Sequence, residues 1–180
     1  MFNIRYCAKV SGILCFVSTA SYADITGSID ATITLTTGCV VNAQSADDGS
    51  ASVDFGEIDF GSHNTLFTQA DGEVTGTGAG IAVQCSPGVS PVLVFNAGQN
   101  DGSGSGGGNR AMEHTVTAGQ YVTYSLFSDA GRSTVIPIGG NIALATDGSA
   151  QVVPVYGRAY GATGLIAGTY TDVITVVLEL

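Results

Sequence analysis

From Ile25 to Thr36 the chain alternates apolar and polar residues without a break for twelve positions. Ile25, Gly27, Ile29, Ala31, Ile33 and Leu35 fall on one side, and Thr26, Ser28, Asp30, Thr32, Thr34 and Thr36 on the other. Side chains of a strand point alternately to its two faces, so this pattern predicts a strand with one apolar and one polar face. At about 3.3 Å per residue it would extend roughly 40 Å, about twice the usual strand. No hairpin turn joins it to the next segment, and Thr37-Gly38 reads as a hinge. Burying Ile25, Ile29, Ile33 and Leu35 would contribute roughly 6–12 kcal/mol before costs. Such a face must be covered. Either the strand completes its own domain or it enters another molecule, and the pattern alone leaves both open.

Residues 1–23 have the layout of a secretory signal peptide. Arg5 and Lys9 supply positive charge, Val10 to Val17 a short apolar core, and Ser21-Tyr22-Ala23 a small-residue cleavage site. The apolar run is too short to span a bilayer, which takes roughly 20 residues. Cleavage after Ala23 would leave 157 residues, enough for one domain, with no membrane insertion expected afterwards. It would also leave three arginines against fifteen acids, a formal net charge of −12. With no basic patch to release counterions, nucleic acid and anionic lipid are excluded as partners. Of four cysteines only Cys39 and Cys85 would remain, and export predicts that they form one disulfide.

The rest of the chain reads as all-β. Turn signals recur at Asp47-Asp48-Gly49, Asp71-Gly72, Asp101-Gly102, Asp129-Ala130-Gly131 and Asp147-Gly148. Between them the pattern predicts strands at Cys39–Asn42, Ser52–Phe60, Ile81–Cys85, Val92–Asn96, Tyr121–Phe127 and Ile142–Ala145. Gln151–Tyr156 contains Pro154 and belongs at an edge or bulge. Thr169–Leu180 alternates again, with Tyr170, Asp172, Ile174, Val176, Leu178 and Leu180 on one face. A sandwich that stops inside this pattern would leave a groove in its sheet, which a strand from a neighbour could cover. The stretch Gly98–Gly108, with six glycines among eleven residues, is expected to be a flexible surface loop that folding can spare. It lacks the Gly-Lys-Ser/Thr and the helix of a phosphate-binding loop.

No catalytic or metal-binding constellation stands out. His63 and His114 are expected to be solvated surface residues without a partner to orient them as bases. Gly102-Ser-Gly-Ser-Gly106 imitates a nucleophile elbow but precedes no helix. Asp54, Glu57 and Asp59 lack the remaining ligands of a calcium loop and read as the polar face of a strand. No cofactor is expected, and a structural protein is favoured over a small exported hydrolase.

Several short motifs occur in a recognisable order: Asp24-Ile-Thr-Gly-Ser-Ile-Asp, Thr37-Gly-Cys39, Phe55-Gly56, Asn96-Ala-Gly98, Asn109-Arg-Ala-Met112, Tyr124-Ser-Leu-Phe-Ser-Asp129, Val155-Tyr-Gly-Arg158 and Gly168-Thr-Tyr-Thr-Asp172. Together they resemble the archaic chaperone–usher pilus subunits that carry the spore coat protein U domain, the Csu-type pilins. The resemblance covers nearly all of the mature chain. It implies an incomplete immunoglobulin-like β-sandwich, completed by a donor strand from a neighbouring subunit. The expected layout is a signal peptide at 1–23, a donor strand at 24–36 and a sandwich domain at 37–180. The donor face would be Ile25, Gly27, Ile29, Ala31, Ile33 and Leu35, and the acceptor groove would be bordered by Tyr170, Ile174, Val176 and Leu178. The implied partners are identical or related pilin subunits, a periplasmic chaperone and an outer-membrane usher. The implied destination, through the periplasm, is the cell surface as a pilus or coat. A tip adhesin of the same kind of fibre is the alternative, but one 157-residue domain leaves little room for a separate receptor domain.

Overall fold

The computed structural model describes residues 24–76 and 80–180; the expected signal peptide lies outside the described residues. The chain divides into two units, residues 1–34 and 35–180. In the first, residues 24–34 form no strand, and Ile25, Ile29 and Ile33 are 101%, 96% and 81% exposed. Leu35, at the start of the second unit, is 83% exposed. The strand expected at Ile25–Thr36 is therefore not formed in the single chain. An alternating pattern creates an apolar face, but a strand also needs a neighbour for its N–H and C=O groups.

All fourteen strands among the described residues lie in the second unit, and every pairing is antiparallel. One sheet runs β11 (Gln151–Val153), β5 (Ile81–Cys85), β1 (Gly38–Val41), β2 (Gln44–Asp47). A small sheet runs β10 (Gly140–Ala143), β6 (Val92–Phe95), β14 (Val176–Glu179). The largest runs β13 (Tyr170–Thr171), β7 (Arg110–His114), β8 (Tyr121–Phe127), β12 (Tyr156–Tyr160), β4 (Gln69–Thr75), β3 (Glu57–Ile58), with β9 (Val135–Ile136) also on β8. Alternate residues of each sheet enter one core: Val41, Ile81 and Val83 from the first, Leu93 and Phe95 from the second, Leu126 and Ala159 from the third. The architecture is an all-β sandwich, as the alternation predicts.

Two segments that read as single strands each bridge two sheets. Gln151–Tyr156 breaks at Pro154, which has no N–H for a ladder. Val155 resumes by accepting a hydrogen bond from the Val74 N–H at 2.8 Å, and the chain continues as β12 in the largest sheet. Thr169–Leu180 pairs first with β7 and then with β6, keeping its alternation of half-buried and exposed residues as far as Glu179; Leu180, expected on the inner face, is exposed. Asp71-Gly72, expected to be a turn, lies inside β4. Gly72 stands opposite Gly157 in β12, and a Cβ on either would press into Ile58 or Phe60. The glycine pair makes room for the 53–60 segment to lie across the sheet. Of the strand expected at Ser52–Phe60, only Glu57–Ile58 is paired, because Gly56, at φ 104°, breaks the extended run. Sequence pattern also missed β2, β4, β7, β9 and all of β12 beyond Tyr156.

Cys39 and Cys85 form the expected disulfide, facing each other directly across β1 and β5. The Gly98–Gly108 stretch is a surface loop, as expected, but it is not free of the fold. It packs over β8: Gly107 lies against the Tyr160 ring, and a Cβ on Gly106 or Gly108 would overlap Thr123 or the Tyr124 backbone. Its glycines permit close approach, so the segment is part of the packing. Gly108→Ala is expected to lower stability by about 3 kcal/mol through overpacking. Gly102→Ala, where a Cβ meets open space but φ is 76°, should lower it by only about 1 kcal/mol. Urea midpoints of the two variants against the parent give the comparison.

Candidate functional site: an open apolar groove

The core of the second unit is not closed. Between the segment Val53–Phe67 and the segment Leu165–Val176 runs a groove of about 1250 Å³. Its floor includes Val74, Ile81, Phe95, Val122 and Leu126, side chains of the sandwich core itself. One wall is apolar through Phe55, Ile58, Phe60 and Phe67, the other through Leu165, Tyr170, Ile174 and Val176. Most of the first wall is backbone outside any ladder: residues 51–56 and 59–64 belong to no strand, and several of their polar groups bond to side chains instead. A groove with an apolar floor and unladdered backbone at its side can take an extended amphipathic segment, which supplies both missing side chains and missing hydrogen bonds.

A polar network fixes the second wall. The Tyr124 ring reaches the groove floor with its centroid 5.9 Å from that of Phe60, and its hydroxyl donates to the Asp172 carboxylate at 2.7 Å. The other Asp172 oxygen accepts from the Gln99 N–H at 2.9 Å. Asp101 accepts from the Gly98 N–H and stands 4.0 Å from Arg110, which is wholly buried. Arg110 donates to the carbonyls of Asn96 at 2.7 Å and Phe95 at 3.2 Å. Burial, and then the bond to Asp172, hold the Tyr124 phenol far above its ordinary value. Residues from four of the sequence motifs thus meet at one place.

A second cluster joins β4 and β12 outside the groove lining. Arg158 makes a two-pronged contact with Asp71 at 2.7 and 3.0 Å. Arg132 lies 3.3 Å from Asp71 and donates to the carbonyls of Gly157 and Gly72. The Arg158 hydrogen bond is the main cause that holds the Asp71 carboxyl below its ordinary value.

Of the expected acceptor residues, Tyr170, Ile174 and Val176 line the groove, while Leu178 instead packs on the core opposite Leu93 in β6. The expected donor residues are exposed. His114, expected on the surface, is buried. Its Nδ1 accepts the Val116 and Thr117 N–H groups, both at 3.0 Å, so Nε2 carries the proton toward the Ala167 carbonyl at 3.3 Å. His114 holds the turn after β7. His63 is exposed, with Nε2 2.8 Å from the Phe60 carbonyl. Asp54 and Asp59 each accept from the backbone N–H two residues on, at 2.8 and 2.7 Å, an arrangement of turns. The aromatic wall was missed because Phe55, Phe60 and Phe67 lie outside strands, whereas aromatics were expected within them.

Tyr124→Phe should separate the phenol's contribution by pH. A phenol that stays protonated in the fold but ionises in the unfolded chain favours folding fully below pH 10. That advantage is lost as pH rises above about 10, by up to 1.4 kcal/mol per pH unit. Urea midpoints between pH 9 and 11.5 should therefore fall more steeply for the parent than for Tyr124→Phe.

The Spore Coat Protein U domain model matches residues 25–177. No curated protein matches the sequence. Among solved structures, the chain is similar to one in the CsuC–CsuE chaperone–tip adhesion subunit pre-assembly complex from archaic chaperone–usher Csu pili of Acinetobacter baumannii. The identity is 16% and the TM-score 0.45; the alignment covers 82% of this chain and 41% of that one, so this chain spans less than half of its length. The family match takes in nearly all the described residues, and the chain belongs to the Spore Coat Protein U domain family.

Proposed function

We propose that this chain is a structural subunit of a surface fibre, a pilus or coat, assembled by a chaperone–usher system through donor-strand exchange. One observation carries the proposal: a single sequence presents both an apolar groove floored by its own core and an unpaired segment with a complete apolar face. Residues 25–35 of one copy would fill the groove of another, completing both. Before that, a periplasmic chaperone would cover the groove, and an outer-membrane usher would mediate the exchange. Export through the periplasm agrees with the signal-like residues 1–23 and with the disulfide. The family match supports a structural role.

Burial predicts that one face of the donor matters and the other does not. Ile29→Asp would place an unpaired charge in an apolar groove, at a cost of several kcal/mol, and should abolish fibre assembly. Thr32→Asp, on the opposite face, should assemble as the parent does. Deleting Asp24–Thr36 should leave a domain that binds its chaperone but cannot add to a chain. Electron microscopy and heat-resistant ladders on gels read all three; fibres from the deletion variant, or identical behaviour of the two aspartates, would refute donation.

A further inference from the structure

The loops 61–68, 115–120 and 161–169 meet at one end of the second unit. Tyr160 pairs with Gln69 and Thr123, Glu113 pairs with Tyr121, and Tyr170 pairs with His114. Gly161 donates to the Thr68 carbonyl, and Thr115 to that of Thr169. These loops carry exposed apolar tips: Leu66 at 87%, Val116 at 86% and Ile166 at 39%. None of the loop residues is Asp, Glu, Lys or Arg, in a chain of formal net charge −10, although the Glu113 carboxylate at the end of β7 accepts from the Gly119 N–H at 3.0 Å. Phe67, Leu165 and Ile166 belong at once to this end and to the groove, so two of the three loops border its mouth.

We infer that this apolar-tipped end is the seat of a second copy of the chain, covered by the domain whose donor segment enters the groove. The inference rests on the proposed donor-strand exchange. A donor pairing antiparallel to the Thr169–Val176 wall brings its Leu35 end to the Thr169 end of the groove, which is the mouth. Only Thr36 and Thr37 then separate Leu35 from β1 at Gly38, a reach of at most about 11 Å. The incoming domain cannot stand off; its Gly38 end is held against the loop tips. That end is acidic. Asp47 is opposite Gly38, Asp48 follows it, and Gly148, beside Asp147, packs on Pro87 next to Ser86, which bonds Gly38. The carboxylates of that end meet loops whose own residues are uncharged, with Glu113 turned to the Gly119 N–H. The apolar tips, unfavourable in water, become buried when the fibre forms.

Single cysteines at Leu66→Cys and Val116→Cys test this in the full-length mature protein. Val152→Cys, half-exposed on the outer face of β11, serves as the reference. Each variant is treated with a maleimide–polyethylene glycol probe in its unassembled and its fibre fractions. Labelling at positions 66 and 116 should be lost on assembly, while labelling at position 152 persists in both fractions. Fibres that form with positions 66 and 116 still fully reactive would overturn the contact and leave the fibre proposal standing; the tips would then face something other than the chain itself. Failure of the parent chain to form any fibre would overturn both.

Discussion

The hydrogen bond from the Tyr124 hydroxyl to Asp172 ties the groove floor to its second wall. Tyr124 stands in β8, at the middle of the largest sheet; Asp172 stands where the last segment of the chain leaves that sheet for the small one. A chain crossing between sheets loses its ladder, and its polar groups must be satisfied some other way. Here the Asp172 carboxylate takes that part, accepting from Tyr124 and from the Gln99 N–H, so the wall stays in place without a continuous strand. The same tyrosine ring faces Phe60 of the opposite wall. One side chain thus touches both walls.

Arg110 anchors the glycine-rich segment to the domain. A wholly buried guanidinium would be costly without partners. It donates to the carbonyls of Phe95 and Asn96, and Asp101 of the segment lies beside it. The carboxylate is held there by a turn at Gly98, while Gly106 and Gly108 let the returning chain lie flat on β8. Composition suggested flexibility because six glycines cannot form a core. What composition does not reveal is that the same glycines remove the side chains that would keep two backbones apart.

The all-β architecture, the disulfide and the alternation of Thr169–Leu180 were legible because each depends on local pattern or on redox setting. Ile81–Cys85 and Tyr121–Phe127 have the bounds the pattern gives. Failures came where a tertiary contact overrode a local signal. Asp71-Gly72 reads as a turn until Phe60 and Ile58 are seen to need the space that Gly72 and Gly157 leave. Arg110–His114, with two basic residues and a glutamate, has no strand pattern; it is a strand because its arginine and histidine find backbone partners inside the protein. Half of the groove was legible, through Tyr170, Ile174 and Val176. The facing wall was not, since Phe55, Phe60 and Phe67 stand in backbone that no strand claims.

The disulfide takes on a further meaning beside the exposed segment. In a donor-strand fibre, tension on the chain enters the domain at Gly38, where β1 begins. The hydrogen bonds of β1 to β2 and β5 run across the strands, and a pull on one end of β1 would load those bonds nearest the entry point first. Cys39 is the second residue of β1, and its partner Cys85 is the last of β5. The covalent bond therefore sits at the point of entry, ahead of the Val40–Gln84 and Val41–Val83 pairs. Load arriving there passes to two strands of the core at once, and β1 cannot peel from β5 while the bond is intact. The position of the bond matters here as much as the roughly 4 kcal/mol that a loop of this length restricts in the unfolded chain.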